Sequence, residues 1–425
     1  MTTSLVAAIY HIRWPDLVIF LATYVGLALG DIPGTRLDRS GIALLGAVAV
    51  LLLHRLSFRQ AMNEVDYATL VLLVSLMVIS AQLRLAGFYD WVVHRILEVA
   101  HSPQTLLAGV IIWAAILSAL FANDVICLIF TPVLCLALHR AGRDPIPYLV
   151  ALATASNIGS AATLIGNPQN MLIGQTAHLS FAAYSLAVLP LILVCLVLNF
   201  LVVRMIYRRR LFAPPAPAAS TPLPAVPAES PPQWDLIHKS LAIMAVLLAA
   251  MLLGGVLHVA RPIAAMAAAG LILISRKTHP RDLFALVDWP LILLFIGLFI
   301  VIGDARRHQL LEPAIRAVAN AGFSLQAHGP LAAITLVLSN VVSNVPAVLL
   351  LKPAIPVTAI DTWRLLAVVS TFAGNLTLLG SIANLIVAER AAQCSVRMGF
   401  LEYLKVGVPL TLASTLLAVL YFHWV

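Results

Sequence analysis

Apolar residues run along this chain in blocks separated by short polar stretches, and a block of about 20 is what a membrane-spanning helix requires. Such blocks fall near 15–30, 41–54, 67–86, 147–182 and 184–207, and again near 236–258, 261–275, 289–303, 363–395 and 402–425. Two more, about 104–138 and 328–357, are too long for one span and carry polar residues at their centres. They predict helical hairpins that enter and leave on the same side. The blocks 147–182 and 363–395 are interrupted too, at Gly166-Asn167-Pro168-Gln169-Asn170 and Gly380-Ser381-Ile382-Ala383-Asn384, which predicts helices broken inside the membrane. Between the two sets, Arg208 to Gln233 holds eight of the 25 prolines without periodicity and predicts a cytoplasmic linker, 208–233. The fold class is therefore an all-α polytopic membrane protein of two inverted repeats, 1–207 and 234–425. Each has about five transmembrane helices, a re-entrant hairpin and a broken helix.

The two halves match in three places. Val65-Asp66-Tyr67 and Val287-Asp288-Trp289 each open a long span that leads into an amphipathic segment, Phe88 to Ala100 and Asp304 to Asn320. Apolar residues recur there at helical spacing (Phe88, Trp91, Val92, Ile96, Val99; Leu310, Leu311, Ala314, Ile315, Val318), with Asp90, His94 and Glu98, or Arg307 and Glu312, opposite. Both segments read as helices lying along the membrane surface. ALFANDVICLIFTP (Ala119 to Pro132) aligns without gaps on NVVSNVPAVLLLKP (Asn340 to Pro353), and TLIGNPQNMLI (Thr163 to Ile173) on TLLGSIANLIV (Thr377 to Val387).

Composition narrows the classes. Of 425 residues, 61% are hydrophobic and 10% charged, with a mean hydropathy of +0.99. A soluble enzyme, a disulfide scaffold and a disordered chain are excluded. The net charge of +8 sits in short loops and builds no basic face for nucleic acid. With the linker inside, 17 of the 26 Lys and Arg residues fall on the inner side, which agrees with the positive-inside rule and a multi-pass inner-membrane protein. Cys127, Cys135, Cys195 and Cys394 show no metal-ligand spacing and read as packing residues. The histidines (His11, His54, His94, His101, His139, His178 and others) are scattered and read as interfacial residues, not ligands. No structural metal and no cofactor is expected. The N-terminal MTTSLVAAIYHIRWPD lacks the pattern of a cleavable signal. Intramembrane enzymes find no support: HExxH is absent, and Gly303-Asp304 lacks the first glycine of GxGD.

The four interruptions carry the chemistry. A broken helix at mid-depth is tolerated only where it is buried in protein or lines a cavity. Asn123 and Asp124 at one hairpin tip, Ser343 and Asn344 at the other, and the breaks with Thr163, Gly166, Asn167, Pro168 and Asn170, and with Thr377, Gly380, Ser381 and Asn384, supply short polar groups and permissive backbone. Helices restarting after each interruption would aim their N-termini at one region, favouring an anion, while freed carbonyls could hold Na+. Asn123, Asp124, Ser343 and Asn344 are also preferred helix caps, and cap and site can be the same residues. Asp124 is an ionisable group inside the membrane and the candidate coupling residue for a proton or cation. The repeat sets Val345 opposite it. Lys352 either draws an anion inward or snorkels to the headgroups.

At these motifs, FANDVICLIFTP, IGNPQNMLIG, SNVVSNVPAVLLL and GSIANLIV, the chain resembles the ion transporter superfamily. The similarity is to the arsenite permease and Na+/H+ antiporter type (ArsB/NhaD-like) and to the related divalent anion:sodium symporters and citrate transporters. The resemblance covers nearly the whole chain. It implies that the hairpin tips and the loops after them form the substrate and ion sites, and that a homodimer works by elevator movement of a transport domain. The tips read Ala-Asn-Asp and Ser-Asn-Val where the symporters carry Ser-Asn-Thr. The expected function is ion-coupled secondary transport of a small anion, an inorganic oxyanion or carboxylate, driven by H+ or Na+. Na+/H+ antiport and arsenite efflux, the latter with a soluble ATPase subunit as partner, are the alternatives.

Overall fold

The computed structural model describes residues 14–29, 35, 37–54, 57–214, 231–254, 259–320 and 324–424. Residues 1–13 of the N-terminal stretch read for a signal, with His11, and also Arg36 and most of the Pro-rich linker lie outside the described residues. No strand is present among those described.

The first half runs through α1 (Trp14–Leu29), α2 (Arg39–His54), α3 (Tyr67–Leu85), α4 (Phe88–Val99), α5 (Pro103–Leu120), α6 (Asn123–Arg140), α7 (Ile146–Ser160), α8 (Pro168–Thr176) and α9 (Phe181–Ile206). The second half runs through the same succession: α10 (Trp234–Leu252), α11 (Arg261–Leu273), α12 (Trp289–Arg307), α13 (Glu312–Asn320), α14 (His328–Val342), α15 (Asn344–Leu351), α16 (Ile360–Ala373), α17 (Ile382–Gln393) and α18 (Phe400–Trp424). Seven of these, α3, α5, α6, α9, α10, α12 and α18, are long and apolar enough to cross a membrane. The lipid-facing side is legible on α9, where the exposed Leu186, Leu189, Leu193, Val197, Leu201 and Met205 recur every three to four residues and form one stripe. Of these seven, the helices opened by Val65-Asp66-Tyr67 and Val287-Asp288-Trp289 are instead the most enclosed. α3 and α12 are each 72% buried over their apolar window. Both start on an aspartate cap: Asp66 Oδ1 accepts from the Thr69 amide at 3.1 Å and Asp288 Oδ1 from the Leu291 amide at 3.0 Å.

Packing between the halves is reciprocal. α2 of the first half lies along α12 of the second, and α11 of the second lies along α3 of the first. The closeness of α2 and α12 depends on Gly297, where a β-carbon would overlap the Ala43 carbonyl. Within each half, the first hairpin arm packs on the first segment of the broken helix, α5 on α7 and α14 on α16.

Three sequence expectations need correction. Asp304 does not begin the second amphipathic segment. It belongs to the last turns of α12, and the amphipathic helix starts at Glu312. The side chains of Ala314 and Val318 lie outside the description. On α4, Val99 is exposed, while Phe88, Val92 and Ile96 are buried against neighbouring helices, α6 among them. The linker region opens with a helical turn, Arg208–Leu211, where no periodicity was expected.

Candidate transport site at the paired helix breaks

The hairpin tips and breaks are built from backbone that leaves its helix and side chains that take up the freed groups. In the first break, 161–167, Thr163 Oγ1 donates to the Ala119 carbonyl at 2.5 Å and Asn170 Nδ2 to the Thr163 carbonyl at 3.2 Å. In the second, 374–381, Thr377 Oγ1 donates to Asn340 Oδ1 at 3.0 Å and Asn384 Nδ2 to the Thr377 carbonyl at 3.1 Å. Positions equated by the internal alignment therefore make equivalent bonds. Each glycine is needed for close approach: a β-carbon on Gly166 would overlap the Ser160 carbonyl, and one on Gly380 would stand 2.6 Å from Asn340 Oδ1.

Capping falls on the breaks and not on the hairpin tips. Asn167 Oδ1 accepts the Asn170 amide at 2.9 Å, with Pro168 at the first position of α8, and Ser381 Oγ accepts the Ala383 amide at 3.2 Å. The cap of α6 is Ala122, and Ser343 caps α15 without a side-chain bond. The reading of Asn123, Asp124, Ser343 and Asn344 as ordinary side-chain caps is thus not what the structure shows. Asn123 Nδ2 instead donates to Asn157 Oδ1 at 2.9 Å.

Asn157, in α7, joins the two halves. Its Oδ1 also accepts from Ser381 Oγ at 3.1 Å, and its Nδ2 donates to Asn375 Oδ1 at 2.8 Å and Asn384 Oδ1 at 3.0 Å. Thr371, which stands as far before Thr377 as Asn157 does before Thr163, does the converse from α16. Its hydroxyl receives Asn167 Nδ2 at 3.1 Å and donates to Asn170 Oδ1 at 3.4 Å. Each half's intact segment thus holds the other half's break. Asn157, Thr371, Asn375 and Asn340 were missed by the sequence reading; for Asn157 and Thr371 the available signal was an amide or hydroxyl a few residues before each Gly-containing interruption.

Asn344 closes the group. It is 9% exposed, its Nδ2 would sit 3.2 Å from a β-carbon on Gly374, and its Oδ1 has no hydrogen-bond partner among the described residues. Its neighbour Ser343 has φ 76° and ψ 162°, a region almost reserved for glycine that costs about 1–3 kcal/mol. Ser343→Gly is expected to raise the thermal unfolding midpoint, by about 1 kcal/mol of relieved strain, while lowering transport through loss of the hydroxyl. An unchanged midpoint would show that the tip is not strained.

Asp124 is brought to the tip but not into this network. It is half-buried and makes no hydrogen bond or ion pair with the described residues. Asp288, Asp38, Arg39, Leu379, Ile382 and Glu389 border a groove of ≈640 Å³ beside the second break. Asp38 lies outside the spans, and its carboxyl is held below the usual range by hydrogen bonds from the Ser40 hydroxyl and the Gly41 amide. Lys352 is elsewhere. With Glu64 and Arg306 it borders a small cavity of ≈40 Å³ and takes no part in the amide network.

Comparison with known proteins follows the same lines. Over 421 aligned residues the chain is 27% identical to a 46 kDa membrane protein of Mycobacterium leprae (strain TN), covering 95% of this chain and 97% of that one. It is 31% identical over 458 residues to the silicon efflux transporter LSI3 of Oryza sativa subsp. japonica, covering 92% and 93%. The fold is similar to that in the crystal structure of the Alcanivorax borkumensis YdaH transporter, at a TM-score of 0.57 and 16% identity over 97% of this chain and 96% of that one. Residues 18–373 match the citrate transporter family. A multi-pass membrane protein and not an enzyme, this chain is a transporter and belongs to the citrate transporter family.

Proposed function

We propose that the chain is an ion-coupled secondary transporter that carries a small oxyanion or carboxylate across the inner membrane, by alternating access of two inverted repeats. The observation that carries this is Asn157, which ties the tip of one hairpin to the break of the opposite half. Two broken helices held by one shared amide are suited to moving as a unit, and irregular backbone at that depth serves a site between repeats. The reciprocal packing of α2 on α12 and α11 on α3 supports the repeat relation. The groove at Asp38, Arg39 and Glu389 supplies a route to the second break. Asp124 is the coupling residue in this reading, taking up H+ or Na+ at the first tip. A homodimer with elevator movement belongs to the same proposal.

One observation favours a second reading. Among the described residues the amide and hydroxyl network contains no Lys, Arg or His. Such a site hydrogen-bonds a neutral oxyacid as readily as an anion held only by helix dipoles, and a relative exports silicon by its name. Efflux of silicic or arsenous acid is the corresponding activity, with a soluble ATPase subunit if it is a pump.

Proteoliposome flux separates these readings. With a panel of oxyanions, carboxylates and neutral oxyacids, with and without Na+ and a pH gradient, a saturable anion signal is expected. In Asp124→Asn its pH dependence should vanish and the maximal rate should fall at least about tenfold, more than 1.4 kcal/mol of lost stabilisation. A Na+-driven proton flux with no response to any solute would replace the proposal by antiport. An oxyacid signal indifferent to both gradients would establish the second reading.

A further inference from the structure

At the end of α2 and α12 away from the groove, four metal-ligating side chains from three helices converge. Asp16 stands in the first turn of α1, His54 ends α2, Asp304 lies in the last turns of α12, and His308 follows it. His54 Nε2 is 3.0 Å from Asp16 Oδ1 and 3.3 Å from Asp304 Oδ1. His308 Nδ1 is 3.5 Å from Asp16 Oδ2 and 3.3 Å from Asp304 Oδ1. The two imidazoles stack with centroids 4.6 Å apart. One donor atom from each residue lies within 4.8 Å of all the others.

A tetrahedral ion with nitrogen and oxygen donors at about 2.1 Å sets those donors about 3.4 Å apart. The imidazole–carboxylate separations of 3.0 to 3.5 Å lie near that value, with Asp16 facing His54 through Oδ1 and His308 through Oδ2. His54 Nε2 and Asp304 Oδ1 are buried without a hydrogen-bond partner among the described residues, and their side chains are 7% and 4% exposed. Arg306 and Arg307 turn to Glu64, at 2.9 Å and 2.5 Å, and Glu64 packs over Gly303, where any β-carbon would strike it. α2 and α12 both end here, so the negative ends of two helix dipoles face the cluster.

We propose that Asp16, His54, Asp304 and His308 bind one divalent transition-metal ion of the zinc class, which fastens α1 and α2 of the first half to α12 of the second. Two imidazoles and two carboxylates suit Zn2+ and its neighbours, whereas Ca2+ and Mg2+ require six or more oxygen donors. His54 is then a ligand and not an interfacial residue. The site stands apart from the helix breaks and does not depend on what the protein transports.

The test uses the full-length protein in detergent, stripped with chelator and dialysed against Zn2+ and, separately, Co2+. One equivalent of Zn2+ per chain is expected, with the intense visible absorption of four-coordinate Co2+ that Zn2+ abolishes. Asp304→Asn or His308→Gln should raise the Kd more than about 100-fold, beyond the 10–100-fold that loss of an outer partner costs. His94→Gln, on α4, should bind as the wild type does. If a ligand variant aggregates on gel filtration, the wild-type cobalt spectrum and its displacement decide alone. No bound equivalent, a six-coordinate cobalt spectrum, or undiminished binding by both ligand variants overturns the proposal.

Discussion

Asn157→Leu is expected to abolish measurable transport and to lower stability by about 4 kcal/mol, since the loss leaves several buried groups unpaired at about 1–3 kcal/mol each, less than additively. The groups that lose a partner are Asn123 Nδ2, the amide oxygens of Asn375 and Asn384, and the Ser381 hydroxyl, which keeps the Ala383 amide as its donor. Asn157→Asp separates the two roles of the side chain. It keeps the acceptor for Asn123 and Ser381 but loses both donated bonds, so an intermediate unfolding midpoint is expected together with impaired flux. Thermal unfolding in detergent and proteoliposome flux read the two effects independently. Wild-type flux in Asn157→Leu would remove the network from the transport site.

Gly166→Ala carries the second large effect. Its β-carbon would overlap the Ser160 carbonyl and stand 2.7 Å from Ser160 Cα and 2.8 Å from the Ser118 carbonyl. All three are backbone atoms of α7 or of the hairpin arm α5, so no side chain can swing aside. Overpacking of this kind costs about 1–3 kcal/mol or more, and the break must shift to absorb it. We expect a stability loss of about 3 kcal/mol and a fall in transport of at least about tenfold. Gly270→Ala is the control. Nothing lies within 4 Å of a β-carbon there, and in the interior of α11 alanine should be neutral or slightly stabilising. Equal behaviour of the two variants would show that the first break tolerates a side chain.

Much of this architecture was legible because hydropathy and interruption are local signals. The long blocks about 104–138 and 328–357 each divide into two helices, α5 with α6 and α14 with α15, and the interruptions at Gly166 and Gly380 fall where the helices break. The family resemblance read from FANDVICLIFTP and GSIANLIV agrees with the match over residues 18–373. What stayed hidden depends on chain segments meeting in space. Asn157 and Thr371 look like isolated polar residues in apolar helices, and only packing shows that each serves the opposite half. His54 reads in the sequence as one of several scattered histidines because its neighbours Asp16, Asp304 and His308 come from distant parts of the chain, without motif spacing. The cap reading of the tips failed for a different reason. Propensity identifies which residues suit a helix start, but the turn at Ser343 follows a backbone path that no propensity scale anticipates.

The reciprocal seating of α2 on α12 and α11 on α3 bears on how the protein is made. As the chain leaves the ribosome, α2 and α3 enter the bilayer long before the helices they will pack against have been synthesised. The buried faces of the first half therefore wait in lipid or against an insertion chaperone, and the native core closes only after α12 has been inserted. A translational pause or premature stop in the Pro-rich segment between the halves would strand a half with its inner surface uncovered. Membrane quality control would meet that species as a substrate for degradation, not as a smaller working protein.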